Sequence, residues 1–165
     1  MDETGFRSFY DRTAPALRSY LRMLCKDAVL ADDLLQESYL RFLRARIPDM
    51  NEFQMKAYLY KAAGSAANDH WKVEKRERNR IKEDSQNIEP TADTSLSQDI
   101  RRFFDTLRKQ HQALLWLAYV DGFQHREIAE ILHLKDKSVR VLLLRARKEF
   151  AKILRAKGIG PGEPL

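Results

Sequence analysis

The most informative stretch of the chain is Arg126-Glu127-Ile128-Ala129-Glu130-Ile131-Leu132-His133-Leu134-Lys135-Asp136-Lys137-Ser138-Val139. Its apolar residues recur at helical spacing, and the small Ala129 lies where two helices would cross closely. The pattern predicts two short helices that pack on each other across a tight turn at 133–135. This is the helix-turn-helix arrangement, whose second helix enters the major groove of DNA. An ordinary helical hairpin is the alternative that this stretch alone leaves open.

The helix predicted from Asp136 onward has a basic surface. Its cationic side chains are Lys137, Arg140, Arg145, Arg147, Lys148, Lys152 and Arg155. Lysine and arginine neutralise DNA phosphates, which drives salt-dependent binding. A run of charges is usually a solvated face. Here the run falls on the expected recognition helix, which favours phosphate contacts.

The charge of the whole chain also indicates a polyanionic partner. The 165 residues have a net charge of +6, and residues 100–165 hold 14 basic against seven acidic side chains. Cys25 is the lone cysteine, so an intramolecular disulfide cannot form and a reducing, cytoplasmic setting fits best. The acidic start and the short apolar runs predict neither a signal peptide nor a membrane span.

Apolar periodicity divides the chain into two helical segments. We predict helices at about 3–25, from Val29 to before Pro48, and from Asn51 to Glu83. Helical spacing resumes from Ile100 to Leu115 and is followed by short helices at about 125–132 and 136–157. Residues 85–99 are mostly polar turn formers and predict a flexible linker. The expected fold is all-α, with an N-terminal domain at 1–84, a helix-turn-helix domain at 100–157 and a disordered tail at 158–165.

The end of the third predicted helix, His70 to Lys82, carries six basic and two acidic side chains. Trp71, Tyr58 and Tyr60 are near in sequence. Basic groups with flat rings are the combination that binds single-stranded nucleic acid. A solvated helix with its tyrosines in the core explains the same pattern equally well.

The second predicted helix has an acidic face. Asp33, Gln36 and Glu37 are spaced three and four residues apart, so they share one side, opposite Leu35 and Tyr39. An exposed acidic patch on a basic protein suits a basic protein partner. As catalytic carboxylates these residues are poor candidates, because the sequence places no histidine near them.

Other chemistry finds little support in the sequence. The four histidines share no metal-ligand spacing, and neither a glycine-rich phosphate loop nor a nucleophile motif occurs. We therefore expect no enzyme activity, no metal and no cofactor.

The chain resembles one known family in three features, which occur in the family's order. They are the acidic helix 33–41, the basic-aromatic helix with Tyr58-Leu59-Tyr60-Lys61 and Asp69-His70, and the helix-turn-helix with Arg145-Ala146-Arg147. The family is the bacterial RNA polymerase sigma factors of the extracytoplasmic-function type, in the sigma-70 family, with regions two and four. The resemblance spans about residues 5–156.

The resemblance implies the roles of three surfaces. The acidic face would dock on the coiled-coil clamp of the largest subunit of core RNA polymerase, through Asp33, Gln36, Glu37 and Arg41. The long helix and the loop at about 47–55 would bind the minus-ten element of promoter DNA, through Asn51, Tyr58, Lys61, Ser65, Asp69, His70, Lys72, Lys75 and Arg76. The recognition helix would read the minus-thirty-five element, through Lys137, Ser138, Arg140, Val141 and Arg145. An anti-sigma factor would control the protein.

Several positions depart from the family's pattern. Gly64-Ser65 stands where Arg-Asn is usual, and Tyr58 where Trp is common. His133 replaces the glycine of the turn, where a positive φ is often required. Val141 and Leu144 are apolar where polar residues are usual. We expect this pair either to meet thymine methyl groups or to be covered by an anti-sigma protein or by the N-terminal domain.

Two other functions remain open at this point. The chain is alternatively a helix-turn-helix regulator that binds DNA without the polymerase, or an anti-sigma-like adaptor that has lost promoter function. Binding to core polymerase separates the first from a sigma factor, and sequence-specific transcription in a purified system separates the second.

Overall fold

A computed structural model describes residues 1–46, 49–80 and 95–159 of the chain. Over these residues the protein consists of helices, without a strand, and the prediction of an all-α fold with two helical domains is confirmed. The seven α-helices are α1 (Glu3–Cys25), α2 (Ala28–Arg44), α3 (Glu52–Arg80), α4 (Ser95–Phe104), α5 (Lys109–Leu115), α6 (His125–Ile131) and α7 (Asp136–Ala156). A π-helical turn, Trp116–Val120, extends α5. None of the helices in these ranges is long and apolar enough to cross a membrane.

Side-chain caps explain where the first three helices begin. Asp2 accepts a hydrogen bond from the backbone N–H of Gly5, and Asp27 accepts from those of Val29 and Leu30. Asn51 and Gln54 form a reciprocal capping box, with distances of 2.9 and 3.1 Å. Each cap satisfies N–H groups that have no partner inside the helix. The short polar residues before each apolar repeat therefore set the helix starts.

Helices α1–α3 form the N-terminal domain around an aromatic core. The rings of Phe9 and Phe42 stack with centroids 5.1 Å apart. The hydroxyl of Tyr39 lies 2.6 Å from that of Thr13 in the buried space between α1 and α2. Burial raises the pKa of Tyr39 to about 12. The hydrogen bond lets the tyrosine remain inside without an unsatisfied polar group.

Helices α4–α7 form the C-terminal domain, which differs from prediction in two places. Helix α4 begins at Ser95, inside the segment 85–99 predicted as linker. The residues after Ile100 also do not form one helix, because helical structure is interrupted at 105–108 between α4 and α5. The buried amide of Gln112 fills this break by donating to the carbonyl oxygens of Asp105 and Leu107, at 3.1 and 2.7 Å. The spacing of apolar residues contains no information about hydrogen bonds from a polar side chain such as Gln112, which explains the error.

Other predicted boundaries agree with the structure or fall outside it. The starts and ends of α1, α2, α6 and α7 lie within about three residues of the predictions. The predicted end of the third helix at Glu83, residues 85–94 of the predicted linker and residues 160–165 of the predicted tail lie outside the described residues.

Candidate polymerase and promoter interfaces

The acidic face of α2 is open to solvent. Asp33 and Gln36 are exposed and Glu37 is half-buried, while Leu35 and Tyr39 are buried on the opposite side. The amphipathic spacing of α2 produces this division, because its apolar residues pack against α1 and α3. The predicted patch is therefore present as one continuous surface.

Arg41 connects this face to α3. Its Nε atom donates to Glu37 at 3.0 Å, and its Nη2 atom donates to Asp69 of α3 at 3.0 Å. These carboxylates raise the pKa of Arg41, with the hydrogen bond to Glu37 the largest cause. Arg41 and Asp69 were predicted to bind polymerase and DNA respectively. In the structure these two residues form an ion pair with each other, which links α2 to α3.

The outer side of α3 forms a basic surface. Its predicted DNA contacts Lys61, Ser65, Lys72 and Arg76 follow one another at spacings of four and seven residues and therefore share one side of the helix. Lys72, Lys75 and Arg76 are exposed, whereas Lys61 and Ser65 are half-buried. His70 lies 3.7 Å from Glu74, which also pairs with Arg78 at 2.7 Å. Lys72, Lys75 and Arg76 therefore present exposed positive charge on this side of α3.

Two other predicted DNA contacts have structural partners. Asn51 is exposed, but its side chain caps α3. Tyr58 is half-buried, with its ring edge-to-face with Phe42 at 6.2 Å. A tyrosine packed in this way has only part of its ring face available to stack on a DNA base.

The turn between α6 and α7 adopts the left-handed conformation that the sequence indicated. His133 has a φ of 55°. The N–H of Leu134 donates to the carbonyl of Ala129 at 2.8 Å, which ends α6 with a hydrogen bond of the Schellman kind. The helix-turn-helix geometry is thereby present, with Ile128, Ala129 and Val139 buried between its helices.

Helix α7 exposes most of its predicted DNA contacts. Lys137, Arg140, Val141 and Arg145 are exposed, and Ser138 is half-buried. Leu144 is 43% exposed. The possibility that the N-terminal domain covers Val141 and Leu144 is therefore wrong, because that domain packs on the other side of the helix-turn-helix.

The two domains pack through α3 and α6. Phe123, in the loop before α6, lies edge-to-face with Tyr60 of α3 at 4.9 Å, and the Nζ atom of Lys56 lies 5.2 Å from the Phe123 ring. Gly122 has a φ of 71°, which glycine adopts without strain, and it turns the chain so that Phe123 enters the interface.

A second contact joins the domains near α5. The Nζ atom of Lys109 lies 3.5 Å above the ring centre of Trp71, and that of Lys26 donates to the backbone carbonyl of Asp105 at 3.0 Å. Neither Phe123 nor Lys109 was predicted from the sequence as a functional residue. A bulky aromatic residue directly after Asp121-Gly122 was the one available signal, because a polar turn rarely holds such a side chain without a packing partner.

Among the described residues, no group of three or more histidine, cysteine or acidic side chains could hold a metal ion.

The sequence also matches two family models. Residues 9–77 match the model "Sigma-70 region 2", and residues 97–150 match "Sigma-70, region 4". The chain belongs to the sigma-70 family. In this sigma factor, region 2 coincides with the α1–α3 domain and region 4 with the α4–α7 domain.

Known proteins agree with this assignment. The sigma factor is 25% identical over 147 residues to "ECF RNA polymerase sigma factor SigM" of Bacillus subtilis (strain 168), covering 85% of this chain and 88% of SigM. It is of the same extracytoplasmic-function type. Its fold is similar to that of the sigma factor RpoE from Bartonella quintana, solved in complex with the anti-sigma factor NepR, with a TM-score of 0.76 and 21% identity. The similarity covers 92% of this chain and 97% of RpoE.

Proposed function

We propose that this sigma factor binds core RNA polymerase through the exposed acidic face of α2 and recognises promoters through α3 and α7. It acts as a transcription initiation factor in the cytoplasm and performs no catalytic step of its own. One observation carries the proposal. The acidic face of α2 and the basic side of α3 lie on one three-helix body, and Arg41 of α2 pairs with Asp69 of α3 between the two surfaces.

This arrangement provides one surface for polymerase and a separate surface for DNA, and transcription initiation requires both. An acidic protein surface attracts a basic surface on the polymerase and repels DNA, whereas exposed lysine and arginine attract phosphates. Because the two surfaces are on a rigid body, binding to polymerase fixes where the DNA surface of α3 lies. Helix α7 then supplies a second DNA contact, and two modest contacts on one chain reinforce each other through effective concentration.

The two domains pack against each other through Phe123 and Lys109, an arrangement that we call the closed form. This closed form must open before α3 and α7 can both contact promoter DNA. The minus-ten and minus-thirty-five elements are roughly 25 base pairs apart, about 85 Å along B-form DNA. A compact chain of this length has a radius of gyration of about 15 Å. We infer that the Phe123 and Lys109 contacts separate on the polymerase. The 14 residues between Arg80 and Ser95 span at most about 50 Å when extended.

The closed arrangement also suits control by an anti-sigma factor. The similar sigma factor RpoE was solved in complex with its anti-sigma factor NepR. A protein that binds both domains of this chain in the closed form would hold α3 and α7 too close together to reach both promoter elements. Such a protein could inhibit this sigma factor without covering the DNA contacts of α3 or α7.

Retention of core polymerase by the full chain tests the proposal. We expect the Asp33→Ala, Gln36→Ala, Glu37→Ala variant to lose binding while keeping its circular dichroism spectrum. The matched control is Asp11→Ala with Glu130→Ala, which removes the same two negative charges from exposed positions elsewhere. Equal binding by the triple variant and the wild type would refute the role of this face. Absence of binding by the wild-type chain, free of any inhibitor, would favour a regulator that binds DNA without polymerase.

A further inference from the structure

We propose that Val141 and Leu144 read the methyl groups of thymines in the upstream promoter element. This inference rests on the proposed function and adds the chemistry that α7 recognises. It makes this sigma factor prefer thymine at the base steps that the centre of α7 faces.

The two side chains lie on the middle of the outer face of α7. Val141 is 48% exposed and Leu144 is 43% exposed, whereas Val139, Leu143 and Ala146 are buried on the opposite side. At 100° per residue, Val141 and Leu144 fall within about 60° of each other and point away from the domain core. Apolar residues at such positions expose surface to water at a cost unless a partner covers them.

Cationic side chains surround the pair. Lys137 precedes Val141 by four residues, and Lys148 follows Leu144 by four residues, so both extend the same stripe along the helix. Arg140 and Arg145 lie on its two sides. All four cations are exposed. An apolar centre with a cationic border complements a groove that has phosphates at its edges and apolar groups on its floor.

The major groove of DNA has this character at thymine. Valine and leucine have neither donors nor acceptors, so they cannot read the hydrogen-bonding edges of bases. The C5 methyl of thymine is the apolar group that the groove presents to them. An acidic protein with an apolar stripe is the competing occupant, and DNA is favoured because the pair lies on the second helix of a helix-turn-helix.

The test removes single methyl groups from the DNA. Full-length sigma factor with core polymerase first selects upstream elements from a randomised template pool. Each thymine of the selected element is then replaced by uracil, which differs only by the C5 methyl. We expect one or two positions at which uracil weakens holoenzyme binding about 3- to 4-fold, the value of one methyl-sized apolar group.

Variants assign this effect to the two side chains. We expect Val141→Ser with Leu144→Ser to bind thymine and uracil templates equally, and Val141→Ile with Leu144→Met to keep the discrimination. Val73→Ser, an exposed valine of α3, is the matched control and should discriminate as the wild type does. Polar replacements at exposed positions leave the fold intact, which circular dichroism checks.

The outcomes separate this inference from the proposed function. Transcription from the selected promoters without any uracil effect, or with an effect that persists in the double serine variant, overturns the methyl readout and leaves the pair to a protein partner. Failure of the wild type to transcribe any template with core polymerase overturns the proposed function instead.

Discussion

The ring of Phe123 packs edge-on against the ring of Tyr60, with centroids 4.9 Å apart and planes at 71°, and this contact joins the two domains. Phe123 belongs to the C-terminal domain and is 8% exposed, and Tyr60 is fully buried in α3. Neither residue was identified from the sequence as joining domains. Their contact makes the free protein compact and places both DNA-binding helices in one body.

Phe123→Ala should open the protein. The substitution removes a buried aromatic ring and its contact with Tyr60, each a source of docking free energy, and should weaken docking of the domains by about tenfold or more. Small-angle X-ray scattering should show a larger radius of gyration than in the wild type. Phe53→Ala, which removes an exposed ring from α3, is the matched control. An unchanged scattering curve for Phe123→Ala would contradict the role of this contact.

Acid should favour the closed form through Asp121. Burial raises the pKa of Asp121 to about 6, and Lys56 and Tyr60 of α3 act in the opposite direction. Burial, with the Asp121 carboxylate as a second cause, raises the pKa of Tyr20 on α1. Because opening returns Asp121 to water, its pKa then falls towards the ordinary value of 3.8, and the closed form binds the proton more tightly.

The sign of the pH dependence follows from this shift. Stabilisation of the closed form by the Asp121 proton is complete below about pH 4 and is lost as the pH rises through about 6. The fraction of closed molecules, measured by scattering, should therefore fall over this interval in the wild type. Asp121→Asn should have a smaller slope across the same interval. An identical slope in both proteins would show that other groups control docking.

His133→Gly should stabilise the helix-turn-helix. His133 has a φ of 55°, a conformation that glycine adopts without strain and histidine adopts at a cost. We expect the free energy of unfolding to rise by about 0.5 to 1 kcal/mol in urea titrations. His133→Val should lower it, since a β-branched side chain is least compatible with a positive φ. A loss of stability in the glycine variant would mean that the His133 side chain has a stabilising partner.

Arg41→Ala should affect stability little. Its ion pairs with Glu37 and Asp69 are at the surface, where such pairs contribute about 0 to 1 kcal/mol. A larger effect on polymerase binding than on stability would therefore identify Arg41 as a direct contact. The comparison requires urea denaturation and polymerase retention on the same variant. Equal small effects on both would leave Arg41 the role of joining α2 to α3.

The sequence predicted most of the helices because their signals are local. The apolar repeat that begins at Val29 and the short turn 133–135 between two such repeats each indicate a helix end within a few residues of chain. The acidic face of α2 was predictable for the same reason, since residues three and four apart share a side in any helix. The predicted polymerase and DNA roles of individual side chains remain predictions.

The interruption between α4 and α5 at 105–108 was not predictable, because its carbonyl groups accept hydrogen bonds from the side-chain amide of Gln112 on the following helix. The ion pair of Arg41 with Asp69 and the helix cap formed by Asn51 were likewise not predicted, since the family resemblance implied polymerase binding for Arg41 and DNA binding for Asp69 and Asn51. A side chain's partners depend on which helices lie next to it, and spacing along the chain contains no such information.

The sequence by itself determined most of the helices, the helix-turn-helix and the family, because these depend on local spacing and on motifs that are read directly from residues. The tertiary structure alone decided that Tyr60 meets Phe123, that Asp121 is half-buried beside this contact, and that Val141 and Leu144 stay exposed. These facts depend on how two domains pack, and packing is selected by the complementary shape and charge of surfaces assembled from residues about 60 positions apart.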